Sequence, residues 1–239
     1  MDCQDLETSV SIPIIVFYHG YIYNGSPPDL VQSALTVVHE QMERLRYCGL
    51  ADAASEIVIG LNGGQETLDI ARLIAPEKAR IVLHGLESKN ENPTLVLLEE
   101  WLKSNSQEAH VLYFHAKGAS HDTATAYGKF DAKWRECLMR YCIEGWRQCV
   151  SDLASYEAVG CHWLTGQGSD HSQHYFAGTF FWARASFLRT LPSIFERERI
   201  KVSGLSSPES RYEIEVWIGN GPRRPYIRDY ADHGLGSCP

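Results

Sequence analysis

The sequence has 239 residues, of which 44% are hydrophobic, 22% charged and 11% aromatic. These proportions are those of an ordinary globular protein, with enough apolar side chains for a full core, so extensive disorder is not expected. The formal net charge of −8 argues against a general nucleic-acid binder, which presents a basic face. A local basic pocket is compatible with this charge.

The sequence also bounds the compartment in which the protein works. No segment reaches the roughly 18–20 apolar residues that span a bilayer, and the acidic start, Met1-Asp2-Cys3, is unlike a secretory signal. Seven cysteines at irregular spacing give no disulfide framework and no CxxC metal pair. Cys142 and Cys149 fall on one face of a predicted helix and are expected to be buried thiols. We therefore expect a cytoplasmic protein.

Six short apolar runs, rich in β-branched and aromatic residues, are predicted to be β-strands. They are Ile12–Tyr18, Glu56–Leu61, Arg80–His84, His110–His115, Ala158–Trp163 and Phe176–Ala183. Near-continuous apolar runs of this length are typical of strands buried on both faces in a mostly parallel sheet.

Segments with helical spacing lie between these runs. A helix that begins after Asp29 carries an apolar stripe from Leu30 to Leu45, a second begins at Asn92-Pro93, and the longest stripe runs from Phe130 to Leu153. Alternation of strand and helix predicts an α/β fold with a central, mostly parallel sheet flanked by helices. No internal repeat or long linker divides residues 1–239, which predicts a single domain, and the chain after Asn220 is predicted to lie over the surface.

Ligands of open α/β sheets bind beyond the carboxyl ends of the strands, so the residues that follow each apolar run are candidate binding residues. Lys117 follows a buried strand directly and could meet phosphate oxygens, with Gly118 allowing a close approach of the backbone. The alternative is a solvated lysine in a glycine turn. Asn62 and Gly63 end another strand and could admit a base or ribose, or form only a turn.

Three further groups have a functional and a structural interpretation. The loop with His162, His171 and His174 could hold a transition metal, but its spacing matches no zinc pattern, so a polar binding loop is favoured and no metal ligand is assigned. Trp163 and Trp182 could stack on a sugar ring or could pack in the core. Glu213 and Glu215 share a face only on a strand, and one of them could deprotonate a hydroxyl group.

Several aromatic blocks in a fixed order resemble a group of glycosyltransferase-like proteins that includes viral and bacterial polysaccharide-building enzymes. The blocks are Tyr113–Gly118, Lys133–Arg135, His174–Arg184, Phe187–Pro192 and Arg211–Gly219. The resemblance spans nearly the whole chain. It implies a fold like the GT-A glycosyltransferases, with one α/β domain that binds a nucleotide-sugar and passes the sugar to a glycan or another hydroxyl acceptor.

The resemblance also suggests roles for individual residues. Many such enzymes carry Asp-x-Asp at the strand end where this chain has His115-Ala116-Lys117, so no carboxylate pair is offered to a divalent metal and metal dependence stays open. Lys117 could neutralise the leaving group directly, helped by Arg135 or Arg184. Glu215 is the candidate general base of an inverting transfer, with Glu213 as its rival. The chain has Gly178-Thr179-Phe180 where the pattern commonly has Gly-Asn-Phe.

The resulting site hypothesis assigns residues to each part of the substrates. The catalytic residues are Glu215, Lys117 and His115; the donor nucleotide, whose base is open, contacts Tyr18, His19, Asn62, Gly63 and Arg135; the acceptor contacts Trp163, His174, Gly178, Trp182, Arg184 and Glu213. The enzyme would work in the cytoplasm or at the membrane face where glycans are assembled. The alternatives are a non-catalytic glycan- or nucleotide-binding module, a metal hydrolase that uses the histidine loop, and a structural partner in a glycan-assembly complex.

Overall fold

A computed structural model describes residues 11–22, 28–85, 91–122, 124–165, 174–194 and 215–231. Nine β-strands lie within these ranges. They are Ile14–Tyr21 (β1), Glu56–Asn62 (β2), Ala79–Gly85 (β3), His110–His115 (β4), Ala158–Gly160 (β5), Trp163–Thr165 (β6), His174–Phe176 (β7), Phe181–Arg184 (β8) and Ile227–Asp229 (β9).

Seven strands form one sheet, in the order β3-β2-β1-β4-β8-β5-β9. The first four pair in parallel, β8 runs antiparallel to both β4 and β5, and β5 pairs in parallel with β9. Strands β6 and β7 form a separate antiparallel pair. The predicted α/β fold with a mostly parallel central sheet is confirmed.

Helices surround this sheet. The α-helices are Pro28–Tyr47 (α1), Leu50–Ala53 (α2), Gln65–Ile74 (α3), Asn92–Ser104 (α4), Ala126–Leu138 (α5), Trp146–Asp152 (α6) and Ala185–Leu188 (α7). A π-helix spans Met139–Glu144 and a 3-10 turn spans Trp217–Gly219. Helix α1 ends before Gly49, whose φ of 77° lies in the left-handed region that favours glycine. Pro93 occupies the first turn of α4, as the sequence predicted.

Two hydrophobic layers cover the two faces of the sheet. Alternate strand residues point to opposite faces, so Val16 of β1 packs in the layer under α1, α3 and the π-helix, whereas Phe17 packs in the layer under α4 and α7. The central strands are therefore buried on both faces, which explains their continuous apolar sequences.

Two of the predicted strands are wrong in extent, because tight turns interrupt them. The run Ala158–Trp163 is divided between β5 and β6 at His162, which has a φ of 59°. The run Phe176–Ala183 is divided between β7 and β8 at Gly178 and Thr179, whose φ values are 87° and 53°. Positive φ ends a strand, and apolar composition alone does not reveal it.

The single helix predicted over the longest apolar stripe is also wrong, since the π-helix separates α5 from α6. The indole Nε1 of Trp182 donates to the carbonyl oxygen of Cys142 (2.7 Å), and the Cys149 thiol donates to the carbonyl of Tyr141 (3.3 Å). These bonds use carbonyls within the irregular segment. Cys142 and Cys149 are buried free thiols, as predicted.

The chain after Asn220 was predicted to lie over the surface. Part of it instead forms β9 at the edge of the sheet. Asp229 of this strand is buried and accepts from the backbone N–H groups of His162 and Trp163 at 2.8 and 2.7 Å. Among the described helices, none combines the length and the apolar character that a membrane-spanning segment requires.

Candidate functional site

A cleft of about 130 Å³ lies beyond the carboxyl ends of β1 and β4, where the strand-end rule predicts a ligand site. Four of its lining residues, His19, His115, Lys117 and Glu215, were predicted from the sequence. The full lining consists of His19, Tyr21, Glu91, His115, Ala116, Lys117, Gly118, Ser120, His121 and Glu215.

His19 is buried at the floor of the cleft in a polar network. Its Nδ1 lies 2.8 Å from Thr94 Oγ1, its Nε2 lies 3.4 Å from Asn62 Nδ2, and Thr94 Oγ1 also lies 3.1 Å from His84 Nε2. Burial lowers the pKa of His19 well below its usual range, and the imidazoles of His115 and His84 lower it further. His19 is therefore neutral at physiological pH, and Asn62 contacts this histidine without being one of the lining residues of the cleft.

His115 connects three segments around the cleft. Its Nε2 donates to the carbonyl oxygen of Gly178 (2.8 Å), and its Nδ1 lies 3.5 Å from Glu91 Oε1. The other carboxylate oxygen of Glu91 accepts from the Tyr113 hydroxyl at 3.0 Å. Both ring nitrogens thus face acceptors within the protein, so His115 holds the turn before β8 and the start of α4 against the end of β4.

Lys117 lines the cleft but is nine-tenths buried. Its Nζ lies 3.4 Å from Asp131 Oδ1 and 4.3 Å from the centre of the Trp134 ring. Arg135 is buried behind it, where Nη1 donates to the Lys117 carbonyl (3.0 Å) and Nη2 donates to Glu40 (3.2 Å). The alternative of a solvated lysine is wrong, and Arg135 holds the turn rather than lining the cleft.

His121 is a cleft residue that the sequence analysis missed. Its Nδ1 lies 2.6 Å from Asp131 Oδ2, and its ring contacts Tyr127 edge to face. Asp131 therefore meets Lys117 with one oxygen and His121 with the other. Gly118, at φ 82°, allows this approach, since a Cβ there would lie 3.0 Å from the Asp131 Cβ. Extending the strand-end rule by three residues beyond Gly118 would have included His121, whereas no local signal marks Asp131 or Glu91.

Glu215 lines the cleft from the segment that precedes the 3-10 turn Trp217–Gly219. It is half-buried and begins the described part of that segment. Its predicted rival Glu213 lies outside the described residues, as does His171 of the histidine loop.

Two of the predicted contact residues belong to the core. Tyr18 is fully buried under α1, where its hydroxyl donates to Gln41 Oε1 at 2.8 Å and burial raises its pKa. Trp182 is fully buried against the π-helix. Neither side chain can present a face to a ligand in this structure, because both point into the layer between the sheet and the helices α1 and α5.

Arg184 lies beside the first residue of β4, at the opposite end of this strand from the cleft. Because β8 is antiparallel to β4, the last residue of β8 pairs with His110 at the start of β4, whereas the cleft lies beyond its end at His115. The Arg184 guanidinium lies 4.0 Å from Glu157 there. The strand direction thus separates Arg184 from the phosphate-binding role expected of it.

The rings of Trp163 and His174 stack diagonally between β6 and β7, with centroids 6.0 Å apart and an interplanar angle of 4°. In the strand register Trp163 pairs with Phe176, and His174 pairs with Thr165. Gly219 packs directly on His174, since a Cβ at this glycine would lie 1.7 Å from the His174 carbonyl oxygen. The hairpin therefore lies against the segment that carries Glu215. No cluster of three His, Cys, Asp or Glu side chains suited to a metal ion occurs in the described parts of the chain.

The predicted glycines have structural reasons for their places. A Cβ at Gly63 would lie 2.7 Å from Thr67 Oγ1 and 2.8 Å from the Ile22 carbonyl oxygen. A Cβ at Gly178 would lie 2.8 Å from the Leu138 side chain, and the Gly178 carbonyl oxygen accepts the hydrogen bond from His115. Gly63 allows β2 to turn closely into α3, and Gly178 shapes the cleft wall.

A family model matches residues 17–224 of the chain, and the family is described as a domain of unknown function, DUF8361. The chain belongs to this family. No curated protein matches it.

The chain is also similar to several solved structures. A protein of Desulfovibrio desulfuricans G20, assigned as a nucleotide-diphospho-sugar transferase, shares 10% identity over 92% of this chain and 80% of that one, with a TM-score of 0.47. The 4-diphosphocytidyl-2C-methyl-D-erythritol synthase of Anaerococcus prevotii DSM 20548 shares 11% identity over 91% and 86%, with a TM-score of 0.44. A CMP:2-keto-3-deoxy-manno-octonic acid synthetase in complex with CTP shares 10% over 92% and 89%, with a TM-score of 0.41. At these identities and TM-scores the likeness does not identify a substrate.

Proposed function

We propose that this protein is a glycosyltransferase that moves a sugar from a nucleotide-sugar donor to a hydroxyl group of a glycan acceptor. The observation that supports the proposal is the cleft at the carboxyl ends of β1 and β4, which is lined by Lys117, His121 and Glu215. Such a transfer has two chemical requirements. Basic groups must bind the diphosphate, and a carboxylate must accept the proton of the acceptor hydroxyl.

The proposed reaction is an inverting displacement. The donor diphosphate lies near Lys117, and the nucleoside extends over His19 toward Gly63. The acceptor hydroxyl oxygen attacks the anomeric carbon, Glu215 takes its proton, and a nucleoside diphosphate leaves. The aromatic hairpin at Trp163 and His174, rather than the buried Trp182, is the aromatic surface available for an acceptor sugar. Polysaccharides that are assembled at a membrane face would provide such acceptor sugars.

The first experiment is a thermal-shift screen of the purified protein against UDP-, GDP- and dTDP-sugars, with and without manganese. A ligand that binds the folded state raises the apparent stability by mass action, by about 2.7 kcal/mol at a hundredfold excess over Kd. We expect one nucleotide class to raise the melting temperature, and the comparison with and without manganese tests metal dependence. No shift with any donor would contradict the proposal.

The second experiment measures turnover with the donor so identified. Glu215→Gln removes the proposed base and keeps its shape, so we expect release of nucleoside diphosphate to fall by about 10²–10⁴-fold while donor binding persists. Glu77→Gln, which changes a glutamate of the α3–β3 loop, is the matched control and should leave turnover unchanged. Undiminished turnover in Glu215→Gln would remove Glu215 from this role, and donor binding without any product would identify a binding module.

A further inference from the structure

One buried carboxylate holds two basic side chains at the wall of the cleft. Asp131 of α5 is 2% exposed, and its two oxygens lie 3.4 Å from Lys117 Nζ and 2.6 Å from His121 Nδ1. Lys117 and His121 both line the cleft, and both belong to the turn that follows β4. The arrangement fixes the spacing of two cationic groups without placing the carboxylate on the cleft surface.

The contact with Asp131 also fixes the orientation of the His121 ring. An ionised carboxylate only accepts hydrogen bonds, so Nδ1 carries a proton and Nε2 lies on the other side of the ring. The Tyr127 ring, perpendicular to the imidazole with centroids 4.6 Å apart, restricts its rotation. About a third of the His121 side chain is exposed, and the residue lines the cleft.

We propose that Lys117 and His121, positioned by Asp131, bind the diphosphate of the donor, and that His121 donates a proton to it as it leaves. This inference rests on the proposed function for its ligand. It assigns His121 as a catalytic residue, because Nε2 touches the leaving oxygen, and Asp131 as a positioning residue. Lys117 and His121 would then neutralise the negative charge of the leaving diphosphate at a strand end that lacks an Asp-x-Asp sequence.

The charges around the cleft determine when an anion binds. Lys117 and Asp131 cancel, so the group carries one net positive charge when His121 is protonated and none when it is neutral. The other titratable groups that line the cleft are His19, which burial keeps neutral, the pair of His115 and Glu91, and two further residues, Tyr21 and Glu215. Protonation of His121 is therefore expected to strengthen anion binding.

The proton balance of the transfer then closes within the site. The bond between the anomeric carbon and the β-phosphate oxygen breaks, and the acceptor oxygen forms a new bond to that carbon. The acceptor proton passes to the Glu215 carboxylate, and the Nε2 proton of His121 passes to the departing phosphate oxygen. Exchange with solvent afterwards returns Glu215 to its anionic and His121 to its cationic form.

The test uses inorganic pyrophosphate as the probe, with calorimetry of the full chain at pH 6 and pH 8 in the presence of a chelator. We expect pyrophosphate to bind more tightly at pH 6. Lys117→Met keeps the packing on Trp134 and should weaken binding at least about tenfold at both pH values, as expected for a lost charge-assisted contact. His121→Gln should weaken binding at pH 6 only.

The pH dependence is compared between variants because pyrophosphate itself titrates. His121→Gln binds the same ligand, so the difference between its slope and that of the wild type isolates the contribution of His121. His39→Gln, an exposed histidine of α1, is the matched control and should behave as wild type. Circular dichroism and melting temperature establish that each variant is folded.

Asp131→Asn tests the positioning role separately. Loss of the carboxylate removes the contact that orients the His121 ring, so the difference in affinity between pH 6 and pH 8 should shrink toward that of His121→Gln. A purely structural role would weaken binding equally at both pH values.

Two results would overturn the inference: absence of pyrophosphate binding, or equal binding and pH dependence in wild type, His121→Gln and Lys117→Met. These outcomes are distinct from failure of the proposed function. Pyrophosphate binding of the expected kind without any sugar transfer would retain the diphosphate site and refute the transferase. Sugar transfer with an unaltered His121→Gln variant would retain the transferase and refute the role of His121.

Discussion

Thr179 is held in a backbone conformation that its side chain disfavours. Its φ of 53° lies in the left-handed region, where β-branched residues are uncommon, and its buried hydroxyl has no hydrogen-bond partner in the described structure. The residue directly follows Gly178, whose carbonyl accepts from His115. The conformation is therefore imposed by the turn that forms one wall of the cleft. Asparagine, which the resembled pattern commonly has here, tolerates this region better.

We predict that Thr179→Asn raises the free energy of unfolding by about 1 kcal/mol, because it relieves part of a backbone strain of this order. Thr179→Val keeps the β-branched shape and the strain but removes the unpartnered hydroxyl, so it measures that separate cost. Urea denaturation of both variants and the wild type measures the two effects. A Thr179→Asn protein no more stable than the wild type would contradict the role of backbone strain at this turn.

At the scale of elements, the contact between Trp182 of β8 and the π-helix joins the sheet to the α5–α6 segment. The indole donates to a backbone carbonyl inside an irregular helix, at a fully buried position. Trp101 of α4 makes an analogous bond to Glu56 Oε2 at 3.0 Å, but both residues are partly exposed. Substitutions of these two tryptophans therefore allow a comparison of a buried hydrogen bond with a partly exposed one.

We predict that Trp182→Phe lowers the free energy of unfolding by about 3 kcal/mol, because it combines an unsatisfied buried carbonyl with a cavity. Trp101→Phe is expected to cost less than about 1 kcal/mol, since water can replace the lost donor. Denaturant titrations of the two variants decide this. Similar losses in both would contradict the importance of burial.

A second contact between elements fixes α4 against β2 beneath the cleft. A Cβ at Gly60 would lie 1.9 Å from Thr94 Oγ1 and 2.4 Å from His84 Nε2. The absence of a side chain at this position in β2 is what allows Thr94 to reach both His19 and His84.

We predict that Gly60→Ala destabilises the protein by about 2–4 kcal/mol, because it overpacks the contact and breaks the buried hydrogen bonds of Thr94. Gly221→Ala is the control, since a Cβ there would meet nothing closer than the Leu191 side chain at 3.2 Å. Its effect should stay within about 0.5 kcal/mol. Equal stability of Gly60→Ala and the wild type, measured by urea denaturation, would argue against this packing.

For the whole molecule, buried histidines make the stability dependent on pH. Burial is the largest cause of the lowered pKa values of His19, His84 and His110. In the unfolded chain these groups bind protons near pH 6.5, whereas the folded state resists protonation. Their contribution to stability is therefore complete above about pH 6.5 and is lost as the pH falls toward the folded-state values.

We predict that the free energy of unfolding decreases below pH 6.5, and that fully buried His19 alone contributes up to about 1.4 kcal/mol per pH unit. Urea denaturation at pH 7.5, 6.5 and 5.5 measures the slope. His19→Gln should reduce it, and the exposed His39→Gln should not. A slope that His19→Gln leaves unchanged would place the acid sensitivity elsewhere in the protein.

The sequence by itself determined the alternation of strands and helices, and through it the edge of the sheet where His19, His115 and Lys117 meet. These features are local, because strand periodicity and the residue after each strand are readable along the chain. Only the tertiary structure decided which face each side chain occupies and which strand runs antiparallel. It buried Tyr18 and Trp182, separated Arg184 from the cleft, and supplied Glu91 from the residue before α4 and Asp131 from α5. Such partners are distant in sequence from the strand ends they contact, so no spacing within the chain reveals them.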